Sequence, residues 1–259
     1  MNKYNKTIID NSTLYLGDCL EVMKIIPDKS IDMILCDLPY GTTACKWDVI
    51  IPFEPLWEQY KRIIKDKGCI ALFGSEPFSS YLRMSNIKEY KYDWIWDKTT
   101  AKGHLTAKIR PMQQTELISV FGNGSIKYFP IMKDRPKNKI EIGRECRRTE
   151  IMGGISHNYS KIYTQWYPKT LLPFKVETGI HPTQKPVALL EYLIKTYTLE
   201  NETILDNCMG SGSTKVACMN TNRKFIGIEK DEKYFEIAKN RKPGDKKVVE
   251  KKNNNSLFD

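Results

Sequence analysis

Two stretches of this 259-residue chain hold side chains whose types and order could do chemistry. In "ILCDLPYGTTACKWD" an apolar run ends on the Asp37 carboxylate, followed by the Leu38 carbonyl, the φ-locked Pro39 and the Tyr40 phenol. A carboxylate, a rigid carbonyl and a flat aromatic ring thus stand side by side at a strand end. The same four residues also read as a strand closing on a proline turn, with Asp37 capping it and Tyr40 packed in the core. In "ILDNCMGSGSTKVA" a strand runs into a glycine-rich turn and a helix start. Gly210 and Gly212 let the backbone bend and approach a ligand with no Cβ in the way. Asp206 can accept from a ligand's amino or hydroxyl groups, while Ser211, Ser213 and Thr214 can cap the helix or donate to a carboxylate. A tight strand-to-helix turn with no ligand would look the same. The next strand, "KFIGIEKD", ends on Glu229, some 20 residues beyond the glycines, where Rossmann-like sites set an acid against ribose hydroxyls. No Gly-Lys-Ser/Thr follows the glycines, so the turn is not a Walker loop, and the full G-x-G-x-x-G of dinucleotide enzymes is absent.

These groups need a scaffold, and the chain alternates strand-like with helix-like segments. "STLYLGD", "SIDMILCD", "GCIALFGS", "YKYDWIWDK", "ELISVFGNG", "ETILDNC" and "KFIGIEKD" read as strands. "CLEVMKII", "PFEPLWEQYKRII", "FSSYLRMSNI", "HPTQKPVALLEYLIKTYT", "KVACMN" and "EKYFEIAKNRK" read as helices. The almost unbroken apolar runs are those of parallel strands buried on both faces, so the expected fold is α/β, a mostly parallel sheet with helices on both sides. Periodicity fades over residues 125–179, where basic residues, aromatics and glycines gather, and residues 242–259 form a polar tail.

With 41 Lys and Arg against 31 Asp and Glu, the net charge of +10 favours a polyanionic partner, nucleic acid first and an anionic membrane second. No apolar run of about 18 residues is present to span a bilayer, and the N-terminus lacks the apolar core of a signal peptide. Seven cysteines (19, 36, 45, 69, 146, 208, 218) form no C-x-x-C pair, which suggests neither a disulfide framework nor a metal site and fits a reduced cytoplasmic compartment.

"DNCMGSGST" resembles the AdoMet-binding loop of amino-methylating DNA methyltransferases, Asp-x-Phe-x-Gly-Ser-Gly-Thr, with Cys208 where that family has Phe and Ser213 inserted before Thr214. "DLPY" resembles the same family's Asp-Pro-Pro-Tyr tetrad, with Leu38 in place of the first proline. "HPTQKP" resembles the segment lying against the methionine part of AdoMet, where His181, Thr183 and Lys185 would offer donors and charge. "LGDCLEVM" resembles a further segment, in which Asp18, next to Cys19, would meet the adenine or its ribose. The order, tetrad before cofactor loop, resembles the β group, a permuted arrangement of one Rossmann-like sheet.

The resemblance covers roughly residues 14–124 and 180–241. It implies a catalytic half (1–124), an AdoMet-binding half (180–241) and, between them, a target-recognition region (125–179). It implies S-adenosyl-L-methionine as cofactor, no metal, and double-stranded DNA as partner. Asp37 and the Leu38 carbonyl would accept the two hydrogens of an exocyclic amine, Pro39 would fix the backbone, and Tyr40 would stack on a base swung out of the duplex. Adenine N6 is the expected target, since Asp at the first tetrad position is the commoner form for adenine and Ser for cytosine; cytosine N4 is the alternative. An RNA methyltransferase, a noncatalytic nucleic-acid-binding protein and a nucleotide-dependent oxidoreductase are rival readings. Lys133, Arg135, Lys139, Arg144, Arg147 and Arg148 could contact phosphates or guanine edges, and Tyr159, Tyr163, Trp166 and Tyr167 could stack. Lys46, Trp47 and Asp48 are expected near the DNA or the cofactor. A bacterial or phage origin, a homodimer and a pairing with a restriction endonuclease are all compatible with such a chain.

Overall fold

The computed structural model describes residues 5–41, 48–137, 141–142, 162–177 and 184–245. The chain runs β1 (Asn5–Ile9), β2 (Ser12–Leu16), α1 (Cys19–Met23), β3 (Ile31–Asp37), α2 (Phe53–Ile63), β4 (Ile64–Gly74), α3 (Phe78–Ser85), β5 (Tyr90–Lys102) and β6 (Gln113–Phe121). It continues through β7 (Lys133–Asp134), β8 (Glu141–Ile142), β9 (Ile162–Tyr163), β10 (Gln165–Trp166) and β11 (Leu171–Pro173). It then returns to longer elements with α4 (Val187–Tyr197), β12 (Thr203–Asp206), α5 (Ser213–Asn220), β13 (Lys224–Glu229) and α6 (Glu232–Asn240).

Nine strands form one sheet in the order β1-β2-β13-β12-β3-β4-β6-β5-β11. The pairs β2–β13, β13–β12, β12–β3, β3–β4 and β5–β11 are parallel, and the antiparallel pairings of β1 and β6 run those two strands against the rest. This is a mostly parallel, Rossmann-like sheet with permuted strand order. The run "IDMILCD" is apolar throughout because β3 is central. Met33 and Leu35 join a core beneath α4, α5 and α6, whereas Ile34 and Cys36 join a core beneath α1, α2 and α3. In α2, Leu56, Trp57, Tyr60 and Ile63 form the buried stripe at helical spacing.

Two strands of the large sheet escape the sequence reading. β1 pairs with β2 through the tight turn at Asp10, whose φ is 49°, and covers the sheet's edge with a half-exposed strand lacking a strong apolar pattern. β11 is three residues long and ends on a proline, so no periodicity marks it, yet it pairs with Ile95–Asp97 of β5. Residues 130–169 form a separate compact unit in which β7 pairs with β10 and β8 with β9, both antiparallel; the other described residues belong to the unit that contains the large sheet. Among the described residues no helix is long and apolar enough to cross a membrane.

Candidate active site

Four adjacent strands, β2, β13, β12 and β3, end in acids at the same edge of the sheet. Asp18 follows β2, Glu229 closes β13, Asp206 closes β12 and Asp37 closes β3. All four line one cavity of about 780 Å³. Parallel strands put every carboxyl end on one side, and the crevice at that edge is where open α/β sheets bind ligands.

On the β3 side, Asp37 is half-buried and both its oxygens are engaged. Lys185 Nζ donates to Oδ2 at 2.6 Å and Tyr40 Oη donates to Oδ1 at 2.5 Å. Lys185, buried just before α4, also lies 2.8 Å from Glu116 of β6, which in turn lies 2.8 Å from Lys98 of β5. Tyr40 Oη also reaches Glu116 at 3.1 Å, and its ring packs on Phe78 with centroids 4.9 Å apart. Two carboxylates and two ammoniums therefore alternate with no net charge. Burial raises the Asp37 pKa above the usual carboxylate value, with Lys185 pulling it down and Glu116 pushing it up. Burial also works against the Lys185 charge, but Asp37 and Glu116 outweigh it and hold that pKa above the ordinary lysine value. Burial opposes Glu116 ionisation as well; Lys185 and Lys98 reverse this and keep it below its usual value. Buried beside two carboxylates, the Tyr40 phenol has its pKa raised and stays a donor. Leu38 is buried and Pro39 half-buried in the same wall. The Asp48 carboxylate accepts from Gly41 N at 2.8 Å, so this acid closes the loop after Tyr40. Lys46 and Trp47 lie outside the described residues.

On the β12 side, Asp206 accepts from Thr214 Oγ1 at 2.6 Å and from Cys208 N at 3.1 Å. Burial pushes its pKa up to about 6 despite these bonds. Gly210 and Gly212 both sit at positive φ, +50° and +77°. A Cβ on Gly210 would meet nothing within 4 Å, whereas one on Gly212 would stand 3.0 Å from Ala238 Cβ. The first glycine leaves an open cradle at the cavity wall; the second lets α5 dock on α6. Glu229 Oε2 accepts from Gly210 N at 2.8 Å and Oε1 from Lys230 N and Asp231 N, both at 2.9 Å. Burial nevertheless raises its pKa, against the pull of those three N–H groups. Asp18 caps α1 by accepting from Leu20 N at 3.0 Å; Cys19 is buried and Cys208 half-buried, both on the cavity wall.

The hydroxyls of the glycine turn are largely committed to the protein. Arg241 NH1 donates to Ser211 Oγ at 3.2 Å and to Ser213 Oγ at 2.8 Å, while Thr214 faces Asp206. The buried Lys215 ammonium donates to the carbonyls of Ala238, Lys239 and Arg241 at 2.8, 3.0 and 3.1 Å, pinning the end of α6 behind the turn. His181 and Thr183 lie outside the described residues. So do Lys139, Arg144, Arg147, Arg148 and Tyr159, whereas Lys133, Arg135, Tyr163, Trp166 and Tyr167 lie in the unit of residues 130–169. Within that unit the Arg135 guanidinium stacks on Trp166, 5.7 Å from its ring centroid. Sequence reading missed Glu116, Lys98, Lys215 and Arg241. No motif marks them, and the one available signal was an acid inside the otherwise apolar strand "ELISVFG".

The family model for DNA methylases of the N6/N4 type matches residues 31–240. The chain belongs to the N6/N4 DNA methyltransferase family. Type II methyltransferase M2.DpnII of Streptococcus pneumoniae is 48% identical over 264 residues, covering 92% of this chain and 91% of that protein. Type II methyltransferase M2.LlaDCHI of Lactococcus lactis subsp. cremoris is 27% identical over 258 residues, covering 90% and 89%. Among solved structures, the M1.HpyAVI–SAM complex is 26% identical with a TM-score of 0.61, covering 88% of this chain and 97% of that one. The PvuII DNA methyltransferase (cytosine-N4-specific) is 17% identical with a TM-score of 0.62, covering 89% and 86%, a likeness of fold. This methyltransferase therefore performs AdoMet-dependent DNA methylation, with S-adenosyl-L-methionine as its cofactor. The residues present suit that cofactor: an open glycine cradle, strand-end acids for hydroxyl and amino groups, and a cavity within the size range of small-molecule sites.

Proposed function

We propose that this methyltransferase modifies the exocyclic N6 amine of an adenine extruded from duplex DNA. The observation that carries the reading is the placement of Asp37 and Asp206 on neighbouring strands, β3 and β12, in one cavity. An acid suited to an amine and an acid suited to a cofactor then face a single space. AdoMet supplies an electrophilic methyl group when bound. Glu229 and Asp18 would hold its hydroxyl and adenine end, and Gly210 would let it approach the backbone, with Cys208 in the same cavity wall.

The adenine amine is a weak nucleophile because its lone pair is delocalised into the ring. Asp37 accepts one of its hydrogens and the Leu38 carbonyl the other, which localises the lone pair towards the methyl group. A carboxylate offers about four lone-pair sites, so Asp37 keeps acceptor capacity beside Tyr40 and Lys185. Pro39 holds the two acceptors convergent. Lys185 has a role beyond the charge expected of it toward the cofactor: it opposes the burial that raises the Asp37 pKa, favouring the carboxylate. Tyr40 orients Asp37 through its hydroxyl and offers its ring to the base. Once methylated, the amine is acidic enough to lose its extra proton to water.

The unit of residues 130–169, with its cations and aromatics, is the proposed centre of target recognition within the broader region 125–179. A cytoplasmic setting, a homodimer and a partnership with a restriction endonuclease are proposals in the same sense, the last supported by the Type II naming of the relatives. Incubation with AdoMet and duplex DNA, followed by digestion to nucleosides, tests the target. N6-methyladenine is expected, and N4-methylcytosine alone overturns the choice.

A further inference from the structure

At the rim of the cavity the turn joining β5 to β6 has a composition that packing within the protein does not account for. Lys102 and Gln113, the last cross-strand pair of this hairpin, both line the cavity that contains Asp37 and Tyr40. Residues 103–112 therefore begin and end at its mouth. The turn is ordered by its own bonds. Thr106 N donates to Gly103 O at 3.0 Å, Arg110 N to Thr106 O at 3.0 Å, and Arg110 Nε to Thr106 Oγ1 at 3.0 Å. Gly103 enters it at a φ of +104°. On this small scaffold Leu105 is 102% exposed and Ile109 is 84% exposed. Two such aliphatic side chains, four residues apart on one short turn, make an apolar tip that nothing within the described residues covers. Their neighbours are Lys102, His104, Lys108 and Arg110, and no acid occurs between Asp97 and Glu116. Aliphatic tips among cations match a partner with a polyanionic exterior and an apolar, stacked interior.

We propose that this turn is the wedge that enters duplex DNA as the target base leaves. Leu105 and Ile109 fill the vacated stack, and Lys108 with Arg110 holds the flanking phosphates. The inference rests on the reading of the site as acting on an extruded base, and it adds the element that drives extrusion. Burial of two aliphatic side chains between bases offsets part of the unstacking that extrusion requires.

The test is a Leu105→Ser/Ile109→Ser double variant, whose fully solvated positions leave folding and AdoMet binding as in the wild type. Methyl transfer is measured on a duplex with the target base paired and on the same duplex with an abasic site opposite the target. Fluorescence of 2-aminopurine at the target reports extrusion. The expected result is about a tenfold or greater loss of transfer and of the fluorescence rise on the paired duplex. On the unpaired duplex the loss is about threefold or less, because extrusion there needs little help. Equal losses on both substrates, or no loss on either, overturn the wedge. So does a double variant that extrudes normally but changes oligomeric state, which would assign the two side chains to a second copy. A wild-type protein that methylates neither substrate overturns the reading of the site, and this inference with it.

Discussion

The Lys185 ammonium lies 2.6 Å from Asp37 and forms the sole bridge of under 3 Å between that carboxylate and Glu116 among the described residues. It tethers the segment before α4 to the end of β3, 148 residues away in the chain. Removing one partner of a buried ion pair leaves an uncompensated charge, which costs about 3–5 kcal/mol. Lys185→Met is expected to lower stability by an amount of that order, and Glu116→Gln in the same chain to recover part of it. Denaturant unfolding of both variants checks this. Without the ammonium, the Asp37 pKa rises further, so the acid limb of the methylation rate profile is expected to move to higher pH.

Glu229 holds three backbone N–H groups of the cofactor turn and its neighbour. Glu229→Ala is expected to weaken AdoMet binding at least about tenfold, and to lower apo stability by about 1–3 kcal/mol, because buried donors lose their acceptor. Titration calorimetry and thermal unfolding, measured on the same preparation, check both halves.

The buried Asp206 gives a stability signature with a definite sign. Its pKa is about 6 in the fold against a usual 3.8. Below about pH 4 the carboxyl is protonated in both states and burial of its charge costs nothing. As pH rises the unfolded chain ionises first, and above about pH 6 the fold carries the whole penalty, about 3 kcal/mol at 1.36 per unit. Asp206→Asn is therefore expected to raise the apo Tm at pH 7.5 and to lose that advantage below about pH 4. The variant keeps an acceptor for Cys208 N, and Thr214 can turn its hydroxyl to accept.

The two turn glycines should fail differently. Gly212→Ala drives a Cβ to 3.0 Å from Ala238 Cβ and 3.1 Å from its Cα at a φ of +77°, so the loss is expected in stability. Gly210→Ala meets no atom, costs roughly 1–2 kcal/mol of left-handed strain, and projects a methyl group into the cradle. Its larger effect is expected on AdoMet affinity. Unfolding and binding measurements on the pair separate the two.

The sheet was legible in the sequence because its central strands are buried on both faces, which leaves near-continuous apolar runs. Asp37, Asp206 and Glu229 stood out as acids ending such runs. Asp32, on the same strand as Asp37, shows the limit of that signal. It is buried at the other end of β3, paired with Lys65 and Lys127 and accepting from Thr203 N, so an acid on a core strand is not by itself a site. Glu116 and Lys98 were illegible because they meet each other only through the pairing of β5 with β6, and Glu116 meets Lys185 only through the return of the chain to α4. Likewise Arg241 and Lys215 engage the turn and the end of α6 across the fold, at separations sequence spacing does not encode. β11 was hidden because its partner strand, rather than its own pattern, makes it a strand.

The central claim is that Asp37 accepts the amine while separate residues hold the cofactor. Methyl transfer to DNA and AdoMet affinity, measured side by side for the wild type and Asp37→Ala, test it most directly. The predicted result is loss of transfer to background with AdoMet affinity changed by no more than about threefold. A variant that binds AdoMet and keeps most of the wild-type rate would contradict it.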